Sequence, residues 1–384
     1  MRTIAIVLGT RPEAIKMAPV IRAFRDCGRY HVRVVSTGQH QEMLQQVVDL
    51  FGIQVDHALE VMTPGQTLAG LSARLLERTD ALLEIEKPDM VLVQGDTTTV
   101  AMVSLASFYR GIPLGHVEAG LRTGNLLSPF PEEANRRLAG MLATLHFAPT
   151  EQSRKNLLAE GVPDDSIWLT GNTVIDALQM EVHRQQEPDV LSEMEAQLGT
   201  EVGPDWRDRP MVLITGHRRE NFGEGLQAIC RAVQRLAVEF PSVLFVYPVH
   251  LNPNVSERVS SALSGLENVR LIRPQSYRPF VGLMRAARLV LTDSGGVQEE
   301  APGLGKPVLV MRDTTERPEG VEAGTVRLVG ADEGNIVSGV RELLTNPQAY
   351  DVMAKAKNPY GDGRASGRIL AAVDRYFDRL GDGA

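Results

Sequence analysis

A chain of 384 residues is long enough for two domains of roughly 150–200 residues each. A formal net charge of −8 argues against broad binding to nucleic acid or anionic membranes, so any anionic ligand must be held locally by a few basic side chains and backbone dipoles. Cys27 and Cys230 are far apart and belong to no CxxC or Cys/His cluster, which argues against a disulfide framework and a zinc site and points to a reducing cytoplasm. The apolar run at the N-terminus is too short for a signal-peptide core, and none approaches the roughly 18 residues of a membrane span.

Short apolar runs alternate with longer helix-compatible patterns from the start: 3–8 then 13–25, 32–36 then 41–50, 90–94 then 99–109, 114–117, and 145–148 before 151–160. Strands and helices taking turns at this spacing predict a parallel sheet covered on both faces. This half closes near Gly171. From 187 to 210 the pattern weakens into Pro-, Gly- and charge-rich sequence, read as a linker or peripheral segment with a domain boundary nearby. The alternation restarts over 211–215, 226–238, 244–247, 255–263, 269–272, 280–287, 289–292, 308–311 and 326–328. A last helical stretch, 364–380, follows the turn-rich Asn358-Pro359-Tyr360-Gly361-Asp362-Gly363, which can carry the chain back to the first domain. The expectation is an α/β protein with two doubly wound Rossmann-like domains, 1–170 with 365–384, and 171–364.

In open α/β sheets ligands gather at the carboxyl ends of strands. The stretch 289–319 is the most telling. Asp293-Ser294-Gly295-Gly296 interrupts an apolar run before helix-compatible residues resume. Two glycines there let the backbone approach a ligand, and the first-turn N–H groups face a phosphate or diphosphate. Glu300, a carboxylate beside an anion site, suits the hydroxyls of a ribose and so suggests a nucleotide. Arg312 and Arg317, around Thr314, Thr315 and Glu316, add positive charge after the next strand; an ordinary strand-to-helix turn is the competing reading.

The first strand is followed by Gly9-Thr10-Arg11-Pro12-Glu13 and Lys16. Arg11 and Lys16 can neutralise a diphosphate, and cations at a helix N-terminus are otherwise disfavoured. Asp96 follows Gly95 at the end of another strand, and Glu118 follows His116-Val117 at the next. Thr215-Gly216-His217-Arg218-Arg219-Glu220 comes from the second half. Two sheets facing each other across a cleft would unite these groups. Gly303-Leu304-Gly305-Lys306 fails as a P-loop because Pro307 replaces the Ser or Thr, and Gly223-Glu224-Gly225 fails as a dinucleotide fingerprint. His116, His146 and His250, taken singly, read as core or supporting residues.

The motifs 9–16, Thr37-Gly38-Gln39-His40, Gly95-Asp96-Thr97-Thr98, 116–122, Pro131-Glu132-Glu133-Ala134-Asn135-Arg136, 215–220 and 293–319 together resemble the bacterial non-hydrolysing UDP-N-acetylglucosamine 2-epimerases over nearly the whole chain. The resemblance implies the GT-B glycosyltransferase-like fold. It also implies a cytoplasmic homodimer that needs no cofactor or metal and supplies UDP-N-acetylmannosamine for surface polysaccharide. The family's substrate contacts fall on Arg11, Lys16, Asp96, Glu118, His217, Gln275, Phe280, Ser294, Gly295, Gly296, Glu300 and Arg317, with Glu300 at the ribose and Phe280 near the uracil. A second, regulatory nucleotide-sugar site is implied at Gln39, His40, Glu42, Arg74 and His250; a packed interdomain polar cluster would look the same.

The chemistry explains these residue types. The C2 proton of an N-acetylhexosamine has no ring carbonyl beside it, so a lone base faces a very weak acid. Breaking the bond from C1 to the diphosphate builds positive charge on the ring and makes that proton removable, giving 2-acetamidoglucal and UDP. Protonation from the other face and re-addition of UDP invert C2. The departing diphosphate needs preorganised positive charge from Arg11, Lys16, His217 and the 294–296 amides. The two faces of C2 need acid/base groups, for which Asp96, Glu118 and Glu132 are the candidates; whichever acts as acid needs a raised pKa, and the competing reading is that one of the three merely orients sugar hydroxyls or clamps Arg122 or Arg136. The alternatives are a hydrolysing epimerase releasing free N-acetylmannosamine, a GT-B glycosyltransferase, and a catalytically silent nucleotide-sugar sensor.

Overall fold

The structure is a computed structural model and describes residues 1–38, 41–216, 218, 223–250 and 252–381, with only the backbone of 41–43, 253 and 254. A strand covered on both faces has no solvent side, so its sequence runs apolar without alternation, as in MVLVQ at 90–94 and MVLIT at 211–215. Such strands alternate with helices throughout. The order is β1 (Arg2–Leu8), α1 (Arg11–Asp26), β2 (Tyr30–Ser36), α2 (Gln41–Phe51), β3 (His57–Ala58), α3 (Leu68–Glu86), β4 (Met90–Gln94), α4 (Thr98–Tyr109), β5 (Leu114–Val117), α5 (Glu132–Leu142), β6 (Leu145–Ala148), α6 (Glu151–Ala159), β7 (Ile167–Leu169) and α7 (Thr173–Arg184). It continues with α8 (Pro188–Val202), β8 (Met211–Thr215), α9 (Glu224–Glu239), β9 (Leu244–Pro248), α10 (Pro253–Leu263), β10 (Val269–Ile272), α11 (Tyr277–Ala286), β11 (Leu289–Thr292), α12 (Gly295–Gly303) and β12 (Val308–Val310). Last come α13 (Pro318–Glu322), β13 (Val326–Leu328), α14 (Glu333–Thr345), α15 (Pro347–Ala354) and α16 (Ala365–Gly381).

The chain divides into two units, Met1–Ala177 with Tyr360–Ala384, and Leu178–Pro359, so the first boundary falls inside α7. In the first unit seven parallel strands are ordered β3-β2-β1-β4-β5-β6-β7. In the second, six parallel strands are ordered β10-β9-β8-β11-β12-β13. Both are the doubly wound Rossmann-like order, whose direction reverses between β1 and β4 and between β8 and β11. The loops that leave those strands are therefore the natural ligand positions of each unit. Val91, Val93, Val103 and Leu114 centre one core, and Ile214, Phe245, Tyr247, Leu291 and Val340 the other.

The return of the chain to the first unit is fastened by charge. Asp176 accepts hydrogen bonds from the N–H groups of Ala365 (3.1 Å) and Ser366 (2.8 Å) and from the Ser366 hydroxyl (2.6 Å), capping α16 from 189 residues away. Burial pushes its carboxyl above the usual range, opposed by those donors.

The segment 187–210, read from sequence as a linker or peripheral, is largely the helix α8. Met194, Leu198 and Val202 recur at helical spacing and are buried, α8 packs on α11, and Trp206 is buried beyond its end. Its charged residues lie on the outer face and dilute that pattern. The long α3 and the pair α14 and α15 have no counterpart among the expected elements. No helix among the described residues is long and apolar enough to cross a membrane.

Candidate active site

In the first unit β4 and β5 are neighbours, and the N–H of Gly95 donates to the carbonyl of Val117 at 3.0 Å, so Asp96 and Glu118 leave adjacent strand ends. Glu118 adopts φ 63°, a left-handed conformation costly for a residue with a side chain. Its surroundings hold it there. Lys16, from the second turn of α1, reaches both carboxylate oxygens at 2.7 Å, Asn172 donates at 3.3 Å, and Gln94 donates from the end of β4. The ammonium of Lys16, expected on the diphosphate, thus faces Glu118.

Asp96 is fixed through both backbone and side chain. Its carboxylate takes a guanidinium N–H of the buried Arg136, and its carbonyl accepts from the Asn135 side chain at 3.0 Å. The carbonyl before it, that of Gly95, lies 2.7 Å from Nε2 of His116. Burial holds His116 near 4 and His146, beside it on β6, near 4 as well, so both imidazoles are neutral at pH 7. Both are supporting residues.

Two successive glutamates open α5 and are used differently. Glu133 is fully buried and accepts from the N–H groups of Thr123 (3.0 Å) and Gly124 (3.3 Å) and from Arg137 (3.1 Å), pinning the loop between β5 and α5. Glu132 is half-buried and makes no side-chain hydrogen bond or ion pair among the described residues. Arg11, the first residue of α1, is likewise half-buried and makes none. A guanidinium at a helix N-terminus with no anion beside it is electrostatically unsatisfied.

Glu13 is the buried carboxyl that sequence reading passed over. It accepts the N–H of Gly9, the N–H of Thr10 (3.1 Å) and the hydroxyl of Thr97 (2.6 Å), and burial pushes it up to about 7 despite those donors. The Thr-x-x-Glu pattern at 10–13, a capping box, is the local signal that finds it. Gln94 and Asn172 carry no such local signal, whereas Asn135 and Arg136 lie in the motif 131–136.

In the second unit Ser294 precedes α12 without capping it through its side chain, which leaves the first-turn amides free of that competitor. The two glycines differ in use. A Cβ at Gly295 would lie 2.5 Å from Nη1 of Arg317, so the guanidinium packs in the space a side chain would fill. At Gly296 the nearest atom would be Oε2 of Glu300 at 3.9 Å, so here the space is open. Arg317 is fixed by Glu299 at 2.5 Å, and its other side is 3.6 Å from Glu316. Glu300 is buried and accepts the hydroxyl of Tyr277 at 2.6 Å; burial and this carboxylate push the phenol well above its usual range. Asp293 accepts the N–H of Arg218 at 2.8 Å, drawing the loop after β8 to the end of β11.

The remaining expected residues divide. Gln275 is half-buried, bonded to the carbonyl of Arg273 (2.8 Å) and to Gln197 of α8 (3.3 Å); Phe280 is half-buried in α11. His217, Gln39 and His40 lie outside the described residues, as does the side chain of Glu42. Arg74 bonds the carbonyl of Val61 (2.9 Å) and the side chain of Gln66, a clamp on its own loop. His250 is exposed and accepts the N–H of Asn252 at 3.1 Å. No group of three or more His, Cys, Asp or Glu among the described residues could hold a metal ion.

The profile of the UDP-N-acetylglucosamine 2-epimerase family matches residues 22–374. The UDP-N-acetylglucosamine 2-epimerase of Yersinia pestis is 56% identical over 374 residues, covering 96% of this chain and 98% of that protein. The crystal structure of the Neisseria meningitidis UDP-GlcNAc 2-epimerase bound to UDP-GlcNAc superposes with a TM-score of 0.90 at 49% identity, covering 97% of this chain and 100% of that one. The Methanocaldococcus jannaschii enzyme in complex with UDP-GlcNAc and UDP gives 0.81 at 31% identity, covering 97% and 99%. With its two doubly wound sheets and its carboxylates gathered at one sheet edge, the chain belongs to the UDP-N-acetylglucosamine 2-epimerase family.

Proposed function

We propose that this protein interconverts UDP-N-acetylglucosamine and UDP-N-acetylmannosamine without hydrolysis, by eliminating UDP to 2-acetamidoglucal and adding it back. What carries the assignment is the contrast between the two switch-point helices. The N-terminus of α12 has no side-chain cap, an open Gly296 and Arg317 alongside, which favours a nucleotide diphosphate in the second unit. The first unit offers Arg11 without an anion and the carboxylates Asp96, Glu118 and Glu132. The second unit, expected from the sequence at 171–364 and bounded by Leu178–Pro359 in the structure, thus serves as the UDP-binding domain, and the first unit as the domain of the catalytic carboxylates.

In the forward step the C1–O bond breaks with its electron pair going to the diphosphate, whose charge Arg11, His217 and the 295–296 amides stabilise, the Ser294 N–H expected beside them being donated instead to the Thr292 hydroxyl at 2.9 Å; removing one such donor typically costs about 3–4 kcal/mol. A carboxylate takes the C2 proton and the glycal double bond forms. A proton then returns from the opposite face as the diphosphate oxygen attacks C1. Asp96, Glu118 and Glu132 share the two faces, and the unpartnered state of Glu132 supports a part in proton transfer rather than in clamping an arginine. Glu300 takes the ribose, with Gln275 and Phe280 near the base. Gln39, His40, Glu42, Arg74 and His250 are the residues that the family resemblance offers for regulation by the same nucleotide sugar. The enzyme works as a cytoplasmic homodimer and supplies surface polysaccharide synthesis.

Incubation with UDP-N-acetylglucosamine in heavy water tests this. NMR should show deuterium entering C2 and a UDP-linked manno epimer accumulating. Free N-acetylmannosamine with UDP would instead identify the hydrolysing reaction, and turnover only with an added acceptor would identify a glycosyltransferase.

A further inference from the structure

Outside the groups already given a part in the reaction, Glu13 is a buried titratable residue of the first unit that touches both the loop after β1 and the loop after β4. It sits at the N-terminus of α1, where a doubly wound fold commonly turns free amides toward a phosphate. Here the two amides that lead into the helix are taken. One carboxyl oxygen accepts the N–H groups of Gly9 and Thr10, and the other accepts the Thr97 hydroxyl. A Cβ at Gly9 would lie 2.8 Å from that carboxyl and 2.6 Å from the Thr99 hydroxyl oxygen, so the glycine makes room for protein side chains and not for a ligand. The second unit does the reverse, placing the cation Arg317 over Gly295 beside an uncapped helix.

We infer that Glu13 is a positioning residue of the epimerisation: by filling the Gly9 and Thr10 amides that lead into α1 and gripping Thr97, it couples the loop carrying Arg11 to the loop carrying Asp96. The inference rests on the proposed roles of Asp96 in proton transfer and Arg11 at the diphosphate. Thr97 is the next residue after Asp96, and Arg11 opens the helix that Glu13 caps, so slack in this contact moves one reacting group relative to the other. Alanine at 13 strands two buried amides and releases Thr97. Glutamine keeps the contact, because its Oε1 accepts from the amides and its Nε2 donates to a Thr97 hydroxyl that reverses its role. With the native carboxyl pushed up to about 7 by burial, the neutral amide is a close substitute.

The test compares wild type with Glu13→Ala, Glu13→Gln, Thr97→Val and the Glu13→Ala/Thr97→Val pair. The readouts are kcat and KM for UDP-N-acetylglucosamine, deuterium exchange at C2, UDP affinity by calorimetry, and thermal unfolding. Glu13→Ala should lower kcat and exchange together by about a hundredfold, as misplacement of a reacting group does, with UDP affinity within about threefold. Glu13→Gln should stay within about fivefold of wild type, and the losses of kcat in the pair should be less than additive, since the contact with Glu13 can be lost only once; the cap that the Thr97 hydroxyl also gives the Val100 N–H of α4 is lost with valine and is read separately in thermal unfolding. Wild-type turnover in Glu13→Ala, a parallel loss of UDP affinity, additive losses in the pair, or a glutamine variant as slow as the alanine one would each overturn the inference. A wild-type protein that neither forms the UDP-linked epimer nor exchanges C2 would defeat the proposed function instead, whatever the variants do.

Discussion

Asp96 and Glu118 leave adjacent strands but are held by opposite means. Glu118 is surrounded by donors in a strained backbone conformation, whereas Asp96 gives its carboxylate to Arg136 and keeps its side chain 28% exposed. With proton transfer as its proposed role, Asp96→Asn should abolish deuterium exchange into C2 of UDP-N-acetylglucosamine while UDP affinity stays within about threefold. Exchange at the wild-type rate would remove Asp96 from the chemistry. Glu13 gives a different signature, in stability. The folded protein releases its proton near 7 and the unfolded chain near the ordinary 4.5, so folding favours the protonated form. That contribution is complete below about 4.5 and is lost as pH rises to about 7, a loss of at most about 3 kcal/mol. Urea unfolding at pH 5 and pH 8 should therefore show Glu13→Gln gaining stability relative to wild type at the higher pH; an unchanged difference between the two pH values would show that the carboxyl titrates normally in the fold.

At the level of elements, two glycines open one helix and answer to different neighbours. Gly295→Ala must push aside a guanidinium that Glu299 holds, which should cost about 1–3 kcal/mol of stability as overpacking does. Gly296→Val meets open space, so it should leave the unfolding midpoint nearly unchanged and raise the Kd for UDP by about tenfold or more, equivalent to about 1.4 kcal/mol. Calorimetric titration and thermal melts separate the two; equal effects on UDP binding would mean that α12 does not face the nucleotide. The same loop shows what was legible in advance. Continuous apolar strands bounded by glycine turns expose the parallel sheets, and the rule that ligands gather at strand ends exposes Arg11, Asp96, Glu118 and Ser294. The use of Gly295 stayed hidden because it is fixed by a partner 22 residues away, the clamp on Arg136 is legible only as a competing reading that does not single out its partner Asp96, and α8 stayed hidden because its buried stripe is only three residues among charges.

At the scale of the whole molecule, three neighbouring helices of the first unit, α3, α4 and α5, end in exposed apolar side chains. Ile85, Phe108, Tyr109 and Met141 are 77%, 59%, 66% and 74% exposed, and the Phe108 and Tyr109 rings lie 6.3 Å apart. Single exposed apolar residues need no explanation, but four at the ends of adjacent helices form a patch that water disfavours. A twofold axis is the simplest way to cover it, because one patch then buries itself against its own copy. The patch lies at helix C-termini, whereas the carboxylates lie at the carboxyl ends of strands, so pairing through it leaves Asp96 and Glu118 clear. Light scattering on the purified protein should give twice the chain mass at micromolar concentration. Phe108→Asp with Met141→Lys, changing exposed residues only, should halve that mass without lowering the unfolding midpoint measured on the separated chains. A native protein of single-chain mass, or a double variant that still pairs, would place the dimer contact elsewhere or remove it.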